Sequence, residues 1–245
     1  MENAQLIALS RQLALQKQME VVANNVANIN TTGFKAELLL HEEFVMPSAR
    51  DHSFAPGDQQ LSFTQDWATV HDLTPGSLVQ TGNPLDVALA GDGFLVVETQ
   101  EGERWTRAGA LQIDADGTLV TLDGHPVMGD GGPIVFAANE TDISIDPTGA
   151  IATDAGAKGR LRLVEFEAPQ ALTRAGSNLF AGGTPLPAAA TRVVQGAIEK
   201  SNVSGITEIA EMIRVQRAYQ SIASIMQRQD EIRRQAVETL GTVRA

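Results

Sequence analysis

The 245-residue sequence has no cysteine, and aromatic residues make up only 4% of it. Without cysteine, neither a disulfide framework nor a cysteine-ligated zinc site can form. So few aromatic side chains leave little for an aromatic-lined ligand pocket or for a platform on which nucleic-acid bases stack. No run approaches the ~20 apolar residues of a membrane-spanning helix, so we expect no direct membrane insertion.

The N-terminus also lacks the pattern of a Sec signal peptide. Charged side chains interrupt it at Glu2, Arg11, Lys17 and Glu20, and no apolar segment with a small-residue cleavage site follows. We therefore expect that, if the protein leaves the cytoplasm, it does so by another route and without a cleaved signal peptide.

Negative charge is concentrated in the middle of the chain. The formal net charge is −12, but residues 1–35 and 201–245 each carry +1, which leaves −14 for residues 36–200. An acidic surface repels the phosphates of nucleic acids and of anionic membranes. We therefore predict a solvent-facing middle region with no nucleic-acid partner. The two nearly neutral ends lose little by packing against copies of themselves.

Apolar residues near the N-terminus predict a long helix with two apolar faces. One set has the alternating spacing of a heptad seam: Leu15, Met19, Val22, Val26 and Ile29. A second stripe, Leu6, Leu9 and Leu13, is centred about 150° away around the helix. A helix on the surface of one domain needs only one apolar face. Because two nearly opposed faces suit a helix enclosed by several neighbours, we assign both sets to an assembly interface.

The C-terminal region repeats this pattern and joins the predicted assembly interface. Its seam consists of Met212, Val215, Tyr219, Ile222 and Met226, and its second stripe of Ile206, Ile209 and Ile213. A helix over residues 204–240 would be about 55 Å long, and one over residues 4–32 about 43 Å. Both exceed the ~30 Å diameter of a small domain. We therefore predict that the terminal helices form a coiled-coil-like axial core domain.

Short apolar segments and glycine-rich turns fill the region between the helices. Residues 94–97 form an apolar run typical of a buried strand. Residues 111–113 and 119–122 flank the turn at residues 114–117 as a hairpin. This density of turns predicts a compact antiparallel domain.

The predicted fold class is therefore α+β, with long N- and C-terminal α-helices and an inserted all-β antiparallel domain. We assign residues 1–35 to the N-terminal helix of the axial core domain and residues 36–77 to an extended connector. Residues 78–194 form the all-β outer domain, and residues 195–245 contain the C-terminal helix of the core domain.

The sequence contains no recognisable catalytic or metal-binding motif. It has no G-x-S-x-G, Walker or H-E-x-x-H pattern, and its histidines lack metal-ligand spacing. The histidines are most simply surface or turn residues: His41, His52, His71 and His125. Asp114 and Asp116 resemble the start of a calcium loop, but Gly117 comes too early and a hairpin turn explains them better. We therefore predict no catalytic residue, no cofactor and no metal site.

Three blocks of sequence resemble the bacterial flagellar axial proteins that build rod and hook. They are N-N-V-A-N-I-N-T-T-G-F-K at residues 24–35, T-G-N-P-L-D-V-A-L-A-G-D-G-F at residues 81–94, and S-N-V-S at residues 201–204 leading into residues 212–220. The motif residues of the first block are Asn24, Asn25, Asn28, Asn30, Thr31, Thr32, Gly33 and Phe34. Apart from the resemblance, Gly33 suits a left-handed C-cap of the first helix. The blocks span nearly the whole chain in the order of the family.

The resemblance implies a structural subunit of the flagellar basal-body rod. Such a subunit self-assembles through its terminal helices into the hollow drive shaft that transmits torque to hook and filament. Its implied partners are copies of itself, other rod subunits and the flagellar type III export apparatus, and its implied location is the periplasm-spanning rod. Within this family, Phe34 and Leu38 are candidates for a small hydrophobic export-recognition element, with plain packing as the alternative.

Other readings remain open. Residues 8–19 resemble the proximal-rod subunit most, and the distal-rod subunit is the alternative within the family. A secreted β-rich adhesin or scaffold would need surface aromatics and would not need paired terminal seams. A carbohydrate-acting enzyme would need converging carboxylates, for which Asp92, Asp114 and Asp116 are candidates that turns already explain.

Overall fold

In the computed structural model of the chain, the described residues are 2–46 and 61–242. Contacts divide the chain into two compact units. The first, here called the helical unit, consists of Met1–Ala27, Glu37–Val70 and Ser204–Ala245. The second, here called the β unit, consists of Asn28–Ala36 and His71–Val203. Each unit is therefore assembled from segments that lie far apart in the sequence.

Two long helices and two long strands build the helical unit. Its elements are α1 (Glu2–Ala27), β1 (Glu37–Met46), β2 (Leu61–His71) and α2 (Gly205–Thr242), and β1 pairs with β2. Both helices consist mainly of good helix formers. Neither proline nor glycine occurs in residues 2–27 of α1 or in residues 206–240 of α2. α1 ends at Ala27, just before Asn28 and Asn30, whose side chains compete for backbone hydrogen bonds. Within the described residues, neither helix combines the length and the apolar character that crossing a membrane requires.

The expected coiled-coil-like axial core is wrong, although the two terminal helices and the β-rich region between them are as expected. The described residues contain two α-helices and no long coiled-coil pair. Among the described side chains of α2 only Val215 is buried, while Ile225, Ile232 and Val237 are exposed. A cleft of about 290 Å³ lies beside Leu15 and Val215, where knobs-into-holes packing would fill the space.

Short antiparallel strands build the β unit. They are β3 (Leu78–Gln80), β4 (Val87–Ala90), β5 (Phe94–Thr99), β6 (Gly102–Thr106), β7 (Leu111–Ile113), β8 (Leu119–Thr121), β9 (Met128–Gly129), β10 (Gly132–Pro133), β11 (Ser144–Ile145), β12 (Ala150–Thr153), β13 (Gly156–Arg160), β14 (Leu163–Glu165), β15 (Thr173–Arg174), β16 (Leu179–Ala181), β17 (Leu186–Pro187), β18 (Arg192–Gln195) and β19 (Ala197–Glu199). A short 3-10 helix spans Pro169–Ala171.

The largest sheet of the β unit has six strands in the order β15-β16-β6-β5-β14-β17. A three-stranded sheet, β11-β12-β13, accompanies it. The remaining strands form the pairs β9–β10, β7–β8, β4–β18 and β3–β19. The last two pairs join strands near the start of the unit to strands near its end.

Strand β5 separates two hydrophobic clusters. Because successive side chains of a strand point to opposite faces, Leu95 and Val97 enter one cluster and Phe94 and Val96 the other. All four side chains are buried, which confirms the buried strand predicted for residues 94–97. The hairpin predicted around residues 114–117 is also confirmed, since β7 pairs antiparallel with β8.

Candidate assembly surface and motif cluster

The second apolar stripe of each terminal helix is exposed. Ile206 is 88% exposed and Leu13 59%, and the other members of the stripes are also exposed: Leu6, Leu9, Ile209 and Ile213. Both stripes consist of large aliphatic side chains that contact water in the single subunit. Contiguous exposed apolar surface of this kind marks interaction sites in soluble proteins.

The seam residues are less exposed than the stripes. Leu15, Val22 and Val215 are buried. The other members are half-buried: Met19, Val26, Ile29, Met212, Tyr219, Ile222 and Met226. Within the helical unit, the Gln18 amide donates to a Glu211 carboxylate oxygen at 2.7 Å, so a polar bond joins the helices beside Leu15. Ile29 belongs to the β unit, where it packs against the cluster of Phe34, Ala36 and Val203. The assignment of all these residues to an assembly interface stays a prediction.

Asn25 fixes the start of β1 within the helical unit. Its side-chain oxygen accepts a hydrogen bond from the Glu37 backbone amide, and its side-chain nitrogen donates to the Glu37 carbonyl, each at 2.9 Å. The buried side chain thus imitates the paired backbone bonds of a neighbouring strand. Asn24 donates to the Glu37 carboxylate at 3.4 Å. These two motif residues therefore serve local structure in the subunit.

The motif continues into the β unit as a polar turn. Thr31 donates to the Asn28 side chain at 3.0 Å, Asn30 is exposed, and the Thr32 carbonyl accepts from the Asn178 side chain at 2.8 Å. These bonds hold the turn in one conformation. A short polar segment can make them because its side chains reach neighbouring backbone groups.

Gly33 has a different role from the predicted helix C-cap, because α1 already ends at Ala27. Its φ of +66° is left-handed, and its amide donates to the Glu199 carbonyl at 2.8 Å. A Cβ atom at Gly33 would lie 2.3 Å from the Arg107 carbonyl carbon and oxygen. Only glycine allows the two backbones to approach so closely.

Phe34 is fully buried in the β unit. The Arg174 guanidinium lies 4.2 Å from the centre of the Phe34 ring, and it donates to the Lys35 carbonyl at 2.9 Å. Leu38, the other residue of the candidate export-recognition element, is 50% exposed on β1. The export role of these residues stays a prediction, and packing fully accounts for Phe34.

A buried ion cluster follows the motif and was missed by the sequence analysis. The Lys35 ammonium lies 2.6 Å from Glu199 Oε1, and both side chains are 1% exposed. Arg107 Nη1 lies 3.6 Å from Glu199 Oε2. Burial lowers the pKa of Lys35, and the Glu199 carboxylate opposes that shift. Burial likewise lowers the pKa of Arg107, opposed first by Glu199. Glu199 shares the buried face of β19 with Ala197, but only the structure reveals that burial, so the sequence carried no signal for the cluster.

His71 is buried and is not the surface or turn residue that the sequence suggested. Its ring meets the edge of Phe180 with 5.2 Å between centroids. Burial, aided by the positive charge of Arg174, lowers the pKa of His71 to about 4. The imidazole is therefore neutral at physiological pH.

The carboxylates considered as candidate metal or catalytic groups make contacts within the fold. Asp114 Oδ1 accepts from the backbone amides of Asp116 and Thr118, as expected for a hairpin turn. Over residues 2–46 and 61–242, no group of three or more acidic or histidine side chains is placed to hold a metal ion. The Glu199 carboxylate is contacted by Lys35, Arg107 and the Gly76 amide.

Comparison with known proteins gives matches along most of the chain. The family model "Flagella basal body rod protein" matches residues 6–35, "Flagellar hook protein FlgE/F/G D1 domain" matches residues 88–153, and "Flagellar basal body rod FlgEFG protein C-terminal" matches residues 194–239. The chain is 36% identical to flagellar basal-body rod protein FlgF of Caulobacter vibrioides, over 99% of this chain and 100% of that protein. It is 31% identical to FlgF of Mesorhizobium japonicum, over 99% of both chains. It is 34% identical to flagellar basal-body rod protein FlgG of Agrobacterium fabrum, over 94% of this chain and 96% of that protein.

Proposed function

The chain belongs to the flagellar basal-body rod protein family, and we propose that it acts as a structural subunit of the proximal rod, as the FlgF relatives suggest. The 36% and 31% identities to FlgF proteins, each over 99% of this chain, favour the proximal rod. The 34% identity to a FlgG protein keeps the distal-rod subunit as a second candidate. In either position the subunit would be part of a hollow shaft that transmits torque.

One observation carries this proposal beyond family membership. Both terminal helices expose stripes of large aliphatic side chains, with Ile206 at 88% and Leu13 at 59%. A protein that acts alone gains nothing from such stripes, whereas a subunit in a helical assembly can bury each against neighbouring copies. We propose copies of this chain and other rod subunits as the partners that cover them.

The remaining parts of the proposal rest on the family alone. They are passage through the flagellar type III export apparatus, a place in the periplasm-spanning rod and the absence of catalysis. The assignment of residues 78–194 as an outer domain also stays a prediction.

The proposal is tested by placing a charge on an exposed stripe. In the free subunit, Ile209→Lys should leave the unfolding transition unchanged, since residue 209 is 52% exposed. In the rod the same ammonium would be buried without a partner, which costs several kcal/mol in every copy. A strain carrying only this variant should therefore fail to swim and should lack completed rods in isolated basal bodies.

Gln216→Lys is the matched control, because it adds the same charge to an exposed polar position of α2. This strain should swim normally. Normal swimming of the Ile209→Lys strain would show that the stripe of α2 is not an assembly surface.

A further inference from the structure

The β unit is closed by its own two ends. Its first segment, Asn28–Ala36, and its last strands, β18 and β19, belong to the same compact unit although more than 150 residues separate them. β18 pairs with β4 and β19 pairs with β3. Both β3 and β4 thus have their strand partners near the C-terminal end of the unit.

Hydrogen bonds between the two ends add to this strand pairing. The Ala36 amide donates to the Asn202 side-chain oxygen at 2.8 Å. The Asn202 side-chain nitrogen donates to the Asp72 carbonyl at 2.8 Å, and the Asp72 amide donates to the Ala36 carbonyl at 2.8 Å. With the bond from Gly33 to Glu199, these contacts join the first segment, the last segment and the residue after β2.

The ion pair between Lys35 and Glu199 is the most costly part of the closure to leave incomplete. Both side chains are 1% exposed, and Glu199 Oε1 also accepts from the Gly76 amide at 2.8 Å. A buried charge without its partner is strongly destabilising. If residues 192–203 are missing from the fold, Lys35 and Arg107 lose the carboxylate between them and cannot both stay buried as cations.

We propose that the β unit folds in one cooperative step, and only when residues 28–36 and 192–203 are both in place. The Lys35–Glu199 ion pair is the buried ionic contact that joins these two ends. Short strands such as β3 and β4 are not stable without their partners. The consequence for a rod subunit rests on the proposed function. A chain delivered as an extended polypeptide would keep its β unit open until residue 203 had left the export channel.

Hydrogen exchange of the full-length purified protein tests whether the β unit folds cooperatively, because amide protection measures local or global opening. The variant is Glu199→Gln, which removes the negative charge and keeps the shape. The probes are amides at the two ends, such as Gly33 and Val193, and the Val97 amide in the central sheet. If closure is cooperative, all of them should lose protection by the same factor, on the order of 100-fold.

Lys200→Gln is the matched control, since it alters an exposed charge next to Glu199 and should leave all three amides protected. Faster exchange of Glu199→Gln at Gly33 and Val193 with an unchanged Val97 would overturn the proposal. It would mean that the ends dock onto a central sheet that is stable by itself.

A second variant covers the case in which Glu199→Gln does not fold at all. Asn202→Ala removes the side-chain hydrogen bonds of Asn202 to Ala36 and Asp72 and leaves the Lys35–Glu199 ion pair in place. Uniform loss of amide protection in Asn202→Ala supports cooperative folding of the β unit, and loss confined to the ends rejects it. Because neither assay involves a rod, a negative result here would leave the proposed structural role intact.

Discussion

Replacement of Gly33 by alanine gives a direct measurement of how closely the motif packs in the β unit. A left-handed conformation costs a residue with a Cβ atom about 1–2 kcal/mol. The new Cβ would also lie 2.3 Å from the backbone carbon and oxygen of Arg107. Those atoms cannot move freely, because Arg107 is 2% exposed and its Nη1 lies 3.6 Å from Glu199 Oε2. We therefore expect Gly33→Ala to lower the free energy of unfolding by about 3–5 kcal/mol.

Gly82→Ala separates the two costs. Gly82 has a φ of +74°, close to that of Gly33, but a Cβ atom there would meet nothing within 4 Å. This control should lose only the conformational cost of about 1–2 kcal/mol. Urea unfolding, followed by the fluorescence of buried Trp105 in a Trp67→Phe background, measures both variants. Equal losses in Gly33→Ala and Gly82→Ala would refute the close approach as the reason for glycine at position 33.

Two further predictions concern buried polar groups. The pKa of His71 is about 4 in the folded protein, against an ordinary value of 6.5, so the unfolded chain binds more protons between these pH values. The free energy of unfolding should therefore fall by up to about 3 kcal/mol as pH drops from about 6.5 to about 4. Denaturation of His71→Leu over this range should lack that component, and an unchanged pH profile would contradict the assignment. Asn25→Ala should cost about 2–4 kcal/mol in urea unfolding, because it removes two buried hydrogen bonds to the Glu37 backbone. Asn30→Ala, at an exposed position of the same motif, should change stability by less than about 0.5 kcal/mol, and equal effects of the two would contradict the role of Asn25.

Features that depend on neighbours in sequence were predictable. The apolar run at residues 94–97 predicts a strand buried on both faces, and Asp114 with the following glycine predicts a hairpin turn, because short-range periodicity and turn chemistry determine both. The terminal helices were predictable for the same reason.

Features that depend on distant partners were not predictable from these patterns. A seam spacing shows that a helix has an apolar stripe but does not say what covers it, so the inferred coiled coil was wrong. Lys35 and Glu199 are separated by 164 residues, and no local pattern connects them. His71 looked like a lone surface histidine, yet the aromatic ring that buries it is that of Phe180. In each case the deciding contact is tertiary.

The structure also separates the buried residues of the N-terminal motif from the exposed residues of the two stripes. Gly33 and Phe34 lie in the motif and are buried inside the β unit, where they determine how one subunit folds. Ile206 and Leu13 lie in the stripes of the terminal helices and are exposed, so they do little for the fold of a single chain. Substitutions in either set should abolish motility, but only those in the first should also destabilise the free subunit. A charge at Leu13 that lowered the stability of the monomer as much as Gly33→Ala does would show that the two sets are not independent.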